Sequence, residues 1–167
     1  MIPKENNRVT TSTIMIQTIQ NLVIDIPTGY GKPVIVSSSE YQKMCKDMCN
    51  IASQMKVTSK NFHIEFTCDA GGVLRRNVQF GEIADSDDDD EEEGDKTQEY
   101  CQDFATEQLC RITKMAGLSN NMQIFPGRPL LFRSNVGSLG KISIYIKSLD
   151  QVSKEAVAQD SEDYDTE

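Results

Sequence analysis

Residues 38–72, SSEYQKMCKDMCNIASQMKVTSKNFHIEFTCDAGG, decide the fold because their hydrophobic period changes partway along the stretch. In the first part, apolar residues recur at helical spacing; they are Tyr41, Met44, Cys45, Met48 and Ala52. Ser39 and Gln42 match the capping-box pattern that begins many helices. In the second part, apolar and polar residues alternate as in a strand; the apolar positions are Phe62, Ile64, Phe66 and Cys68. Gly71 and Gly72 then predict a turn into a further strand over 73–80.

The second half of the chain repeats this order. A strand over 99–104 is followed by a short helix near 105–116 with a stripe of apolar residues, and Gly117 stands where a left-handed residue often ends a helix. Three further strands are predicted over 121–125, 129–134 and 141–147, and extended segments over 9–16 and 33–36 precede the first helix. The pattern predicts an α+β domain, a duplicated strand-helix-strands unit with two short helices packed on antiparallel sheets.

Acidic residues are concentrated in two segments. The chain has 26 Asp and Glu against 17 Lys and Arg, and its formal net charge is −9. Residues 82–97 hold ten of the acids and residues 150–167 hold seven, whereas the remainder has nine acids and 15 bases. Because like charges repel and favour solvated chain, we predict an acidic disordered loop over 82–97 and an acidic disordered tail over 150–167. The basic remainder means that the low pI does not exclude a polyanionic partner.

The sequence offers little for catalysis. Its cysteines are odd in number and form no CxxC pair, which argues against a disulfide framework or a zinc site and favours a reducing compartment; they are Cys45, Cys49, Cys68, Cys101 and Cys110. His63, the single histidine, lies on the polar side of a predicted strand, and no glycine-rich phosphate loop precedes a helix. We expect no catalytic residues, no metal and no cofactor. Residues 1–8 have no apolar core of the kind a signal peptide needs, and no apolar run approaches about 20 residues, so no membrane partner is expected.

Two stretches carry a resemblance to a known family. Residues 38–72 and residues 104–148, FATEQLCRITKMAGLSNNMQIFPGRPLLFRSNVGSLGKISIYIKS, resemble proliferating cell nuclear antigen, the sliding clamp of eukaryotes and their viruses. The resemblance covers about residues 9–149 and implies a DNA-clamp (processivity) fold. It divides the chain into the last strand of a missing N-terminal domain (1–14), an interdomain connector (15–32) and a C-terminal clamp domain (33–149).

The resemblance implies a ring that encircles double-stranded DNA regardless of its sequence, with short helices lining the hole. Lys43, Lys46 and Lys114 fall where the family carries basic residues toward DNA, and Arg111 shares their helical face by periodicity. Phosphate contacts of this kind are independent of sequence and sensitive to salt. From the residues alone, ordinary solvated side chains remain an alternative.

The resemblance also implies a pocket for partner peptides. In sliding clamps, DNA polymerases, the clamp loader, ligases and nucleases insert short motifs with aromatic anchors beneath the connector. Five residues match or approach pocket positions of the family: Asn21, Leu22, Ile26, Pro129 and Tyr145. Tyr145 lies on the polar side of its strand and should be exposed, although packing on a neighbouring strand is the alternative. Lys147 and Ser148 depart from the small or proline residues that the family often has there.

Clamp subunits join by pairing edge strands. Here residues 9–15 would pair with the strand over 73–80 of another subunit; the interface residues would be Val9, Met15, Val73, Val78 and Phe80. The resemblance implies a homotrimeric ring at full length, located in the nucleus or at a viral replication site. A different class of protein, an acidic binder of basic proteins similar to a histone chaperone, is the alternative that the acidic loop and tail suggest.

Overall fold

The computed structural model of the chain describes residues 25–60, 62–81 and 99–162. Its elements are, in chain order, β1 (Val34–Ser37), α1 (Ser38–Met48), β2 (Gln54–Lys60), β3 (His63–Asp69), β4 (Arg75–Gly81), β5 (Tyr100–Ala105), α2 (Thr106–Arg111), a 3-10 helix (Ile112–Gly117), β6 (Asn121–Phe125), β7 (Leu130–Asn135), a 3-10 turn (Gly137–Leu139), β8 (Lys141–Ile146) and α3 (Leu149–Glu162). The predicted acidic loop over 82–97 lies outside the described residues. Within the described ranges, none of the helices has the length and hydrophobicity needed to cross a membrane.

The strands form two antiparallel sheets, and the two halves of the chain exchange their first strands. Sheet A has the order β1-β6-β7-β8, and sheet B has the order β4-β3-β2-β5. Thus β1, from the first half, pairs with β6, while β5, from the second half, pairs with β2. The predicted α+β fold with antiparallel sheets is confirmed, and the exchange makes the two halves one domain.

The helices occupy the core side of both sheets. The Tyr41 ring of α1 is fully buried and lies 5.8 Å from the Phe66 ring of sheet B and 5.6 Å from the Phe132 ring of sheet A, both centroid to centroid. The Tyr41 hydroxyl donates a hydrogen bond of 3.0 Å to the carbonyl oxygen of Leu109, which holds α2 beside α1. The predicted apolar face of α1 is therefore the side that packs.

Helix ends differ from the sequence predictions. The predicted Ser39–Gln42 capping box is wrong, because α1 begins at Ser38 with Ser37 as its N-cap and no side-chain cap hydrogen bond. The prediction of a left-handed Gly117 is also wrong, since its φ is not positive and it lies within the 3-10 helix. Side chains three residues apart align in a 3-10 helix, which lets both Ile112 and Met115 be buried.

Strand β2 was not identified by the sequence analysis. It joins β3 to β5 and lies between them in sheet B. Its core-facing positions are Met55, Val57 and Ser59, so a serine interrupts the apolar alternation. A buried serine explains why the strand pattern was weak, and its hydroxyl donates to the carbonyl oxygen of His63 at 2.7 Å.

The prediction that the acidic tail over 150–167 is disordered is wrong for most of its length, because α3 covers Leu149–Glu162. Ser148 is buried and begins this helix with a complete capping box. The Gln151 backbone N–H donates to Ser148 Oγ at 3.3 Å, and the Ser148 backbone N–H donates to Gln151 Oε1 at 3.0 Å. Two ion pairs also stabilise this helix: Lys154 pairs with Asp150 at 2.8 Å, and Lys147 pairs with Glu155 at 2.6 Å. The prediction of disorder rested on repulsion between acidic residues. The local hydrogen bonds and ion pairs of α3 offset this repulsion.

Candidate functional site

The predicted DNA-facing cations lie on two adjacent helical segments. Lys43 and Lys46 belong to α1, Arg111 ends α2, and Lys114 belongs to the 3-10 helix that continues it. All four side chains are exposed. We call these four residues the helical face. Because Tyr41 and Leu109 join the helices on their buried sides, the structure brings the four cations onto neighbouring helical segments.

Acidic neighbours reduce the positive charge of the helical face. Lys43 pairs with Glu40 at 2.7 Å, and that hydrogen bond raises the pKa of Lys43. Arg111 pairs with Glu107, one helical turn earlier. Exposed pairs of this kind contribute little to stability, and each carboxylate offsets the charge of its basic partner. Among the described residues, Lys46 and Lys114 form no ion pair, so they are the cations of this face most available to an external anion.

An aromatic strip crosses the face of sheet A that is turned away from the helices. The sheet register places Leu131 opposite both Phe125 and Tyr145. Tyr30, near the end of the predicted connector, covers this row; its ring centroid lies 6.1 Å from that of Phe125 and 6.3 Å from that of Tyr145. We call Tyr30, Phe125, Leu131 and Tyr145 the aromatic strip.

Tyr30 is fixed in place by the loop between β6 and β7. Its hydroxyl donates a hydrogen bond of 2.7 Å to the carbonyl oxygen of Pro129. A side chain at Gly127 would bring its Cβ within 2.5 Å of the Tyr30 ring, so the close approach requires glycine. Burial and the neighbouring Tyr145 hydroxyl raise the pKa of Tyr30, which therefore remains a neutral donor at neutral pH.

The structure places three of the five predicted pocket residues. Pro129 is buried and Tyr145 is half-buried, and both are joined through Tyr30; Ile26 is exposed over 69% of its surface. Asn21 and Leu22 lie outside the described residues. Tyr145 faces away from the core, as predicted, but it is partly covered rather than fully exposed. Sequence reasoning missed Tyr30, although an aromatic residue between two glycines at the end of the connector was a signal.

The predicted subunit-interface strand is an edge strand. β4 is the last strand of sheet B and pairs with β3 on one side; among the described strands none pairs with its other side. Val78 and Phe80 are half-buried on it. The prediction that Val73 belongs to this strand is wrong, because the turn after β3 extends to Leu74 and leaves Val73 90% exposed. Val9 and Met15 lie outside the described residues.

A cleft of about 520 Å³ lies between α2, β8 and α3. Its apolar walls come mainly from β8, α3 and the 3-10 helix that continues α2, whereas α2 itself contributes only polar residues. Arg111 and Lys147 also line it, so Arg111 borders both the cleft and the helical face. The sequence did not predict this cleft because its third wall, α3, was expected to be disordered.

The described residues contain no group of three or more His, Cys, Asp or Glu side chains that could hold a metal ion. All five cysteines are free thiols. Burial raises the pKa of Cys45 to about 12, so this thiol stays protonated at neutral pH and packs between α1 and α2. This cysteine contributes to the packing of the domain.

The chain matches a family model and a viral protein. A family model described as "Proliferating cell nuclear antigen, C-terminal domain" matches residues 26–149. A protein described as "Probable DNA polymerase sliding clamp 1", from Paramecium bursaria Chlorella virus 1, is 26% identical over 145 residues, which cover 85% of this chain and 55% of the viral protein. The chain thus spans about half the length of this curated relative.

Proposed function

The chain belongs to the family of proliferating cell nuclear antigen C-terminal domains, and on that premise we propose that it is part of a ring that encircles duplex DNA and recruits replication proteins. The family match bears out the resemblance carried by residues 38–72 and 104–148. Proteins of this family are processivity factors rather than enzymes, as the sequence predicted. The acidic chaperone-like alternative has no support from either match.

The single observation that carries the proposal is the helical face. Two adjacent helical segments present Lys43, Lys46, Arg111 and Lys114 away from both sheets. Side chains of this type contact phosphates without reading bases, which suits a protein that slides along DNA. In the proposed ring this face lines the hole, and the opposite sides of the sheets form the outer surface.

The aromatic strip is the proposed docking site for partner peptides. The Tyr30 ring lies 6.3 Å from the Tyr145 ring, centroid to centroid, and its hydroxyl is tied to the Pro129 carbonyl oxygen. Ile26, four residues before Tyr30 in the chain, is exposed. Aromatic side chains held in place beside an apolar surface are typical anchor sites for peptides. We propose that the short motifs of a DNA polymerase, the clamp loader, a ligase and nucleases bind here.

Assembly and location are further parts of the proposal. The unpaired side of β4, with Val78 and Phe80, would accept a strand from another subunit, giving a trimeric ring at full length. Such a ring would act in the nucleus or at a viral replication site.

A peptide titration tests this function. Fluorescence anisotropy would follow a labelled peptide with an aromatic clamp-interacting motif as the chain is added. Because Tyr145 is half-buried in the strip, Tyr145→Ala should weaken binding about tenfold or more, the range of an anchor residue. Leu139→Ala, in the exposed turn before β8, is the matched control and should change the Kd less than twofold.

Deleting residues 82–95 distinguishes the alternative class. A clamp keeps its peptide ligand after this deletion, because the aromatic strip does not include those residues. An acidic chaperone would instead lose a basic partner such as a histone. Equal peptide affinity of the wild type and Tyr145→Ala would refute the docking site.

A further inference from the structure

Residues 108–149 contain no Asp or Glu, although the chain as a whole is acidic. Outside the helical segments, four bases fall in this range: Arg128, Arg133, Lys141 and Lys147. The four strands of sheet A likewise contain no acidic residue. Sheet A and its loops are therefore cationic, in contrast to the acid-rich segments elsewhere in the chain.

Arg133 places part of this charge directly beside the aromatic strip. It is two residues from Leu131 on β7, so it projects on the same side of sheet A, away from the helices. Its guanidinium carbon lies 5.0 Å from the centroid of the Phe125 ring, and its Nε donates to Ser143 Oγ at 3.2 Å. Both contacts hold the guanidinium at the border of the strip.

The positive charge of Arg133 is not neutralised within the described part of the chain, where it forms no ion pair with a carboxylate. The surface of sheet A next to Arg133 is exposed to solvent. Its cross-strand neighbour Gln123 pairs in turn with Ile35, which is 64% exposed. A guanidinium that stacks on an aromatic ring and has further N–H donors toward solvent can bind a planar carboxylate.

We infer that the aromatic strip selects peptides with an acidic residue close to their aromatic anchor, and that Arg133 determines this specificity. The inference rests on the proposed docking site and adds the chemistry of its ligand. Alternate residues on one side of a strand are ~6.5 Å apart, and an extended peptide advances ~3.3 Å per residue. The acidic residue therefore belongs two or three positions from the anchor.

The test compares two peptides and three proteins. Both labelled peptides carry the same aromatic motif; one has Glu two and three positions away on each side, and the other has Gln at those positions. Anisotropy titrations at low and moderate salt use the wild type, Arg133→Gln and the control Arg75→Gln, which changes an exposed arginine on β4 of the other sheet. A partly exposed ion pair changes affinity by about two- to fivefold, and more when it is partly desolvated.

We expect the wild type to prefer the Glu peptide by about three- to tenfold at low salt, with the preference decreasing as salt rises. Arg133→Gln should remove the preference and leave the Gln peptide within twofold of its wild-type Kd, while Arg75→Gln retains the preference. Equal affinity of the wild type for both peptides would overturn the inference and leave the docking site intact. Equal weakening of both peptides by Arg133→Gln would also overturn it, since it would indicate a structural role through Phe125.

Two other results separate this inference from its premise. If neither peptide binds, the docking site itself is refuted, and the inference with it. If Arg133→Gln instead reduces affinity for a duplex DNA as much as Lys46→Ala does, the surface is assigned to nucleic acid and the peptide inference is overturned.

Discussion

Helices α1 and α3 are of similar length but are held in place by opposite means. α1 has 11 residues, no side-chain cap and a fully buried side that includes Tyr41 and Met48. α3 has 14 residues and a complete capping box, yet its side chains from Val152 to Val157 are all exposed. One helix is fixed by the core and the other by local hydrogen bonds. The same secondary structure therefore has a different energetic basis in the two helices. Substitutions in α1 and in α3 should accordingly differ in their effect on stability.

The largest expected effect is in the buried side of α1. Met48 has no exposed surface, so Met48→Ala removes a core side chain and leaves a cavity. We expect it to lower the free energy of unfolding by about 2–5 kcal/mol. Val152→Ala, an apolar truncation on α3 at a position 51% exposed, should cost less than about 1 kcal/mol. Urea denaturation followed by circular dichroism measures both, and equal losses would contradict the contrast between the helices.

The second effect concerns the cap of α3. Ser148→Ala removes the acceptor for the Gln151 backbone N–H and should destabilise α3 by about 0.5–2 kcal/mol. Hydrogen exchange of the amides in the first two turns of α3 should become several-fold faster, while core amides of sheet A keep their protection. Ser39→Ala is the matched control, because Ser39 is exposed on α1 and does not cap it. A larger loss from Ser39→Ala than from Ser148→Ala would show that the caps are assigned wrongly.

The two capping-box patterns explain what the sequence can and cannot predict about these helices. Both Ser39–Gln42 and Ser148–Gln151 have the required spacing, but only the second forms. Strand β1 runs directly into α1, and the backbone N–H of Ser38 donates to the carbonyl oxygen of Asn120. This contact with a distant segment places the start of α1 two residues too early for Ser39 to cap it. A local pattern indicates a helix, whereas the partner strand decides where it begins.

The candidate site shows the same division between what local sequence patterns predict and what contacts between distant segments decide. Periodicity placed Lys43 and Lys46 on the exposed side of a helix, and strand alternation placed Tyr145 on the side away from the core, both in agreement with the structure. The contact of Tyr30 with Gly127 and Pro129 joins segments almost 100 residues apart, and no local pattern encodes it. Sheet register likewise brings Arg133 next to Phe125, which sequence spacing alone does not predict.

The smallest expected effect tests whether the two helices differ in function. Lys46 on α1 has no ion pair among the described residues, whereas Lys154 on α3 pairs with Asp150 at 2.8 Å. If α1 faces DNA, Lys46→Ala should weaken binding to a duplex of arbitrary sequence by about two- to fivefold at low salt. It should also reduce the slope of log K against log salt by about one, the value for one lost phosphate contact.

Lys154→Ala carries the same loss of charge on α3 and is the matched control in this titration. Since α3 carries four acidic residues of its own and lies outside the helical face, we expect the affinity and salt slope of Lys154→Ala to equal those of the wild type. The comparison cancels the effect of net charge, which both variants change by one unit. Equal weakening by the two substitutions would therefore mean that DNA responds only to overall charge, and it would remove α1 from the proposed lining of the ring.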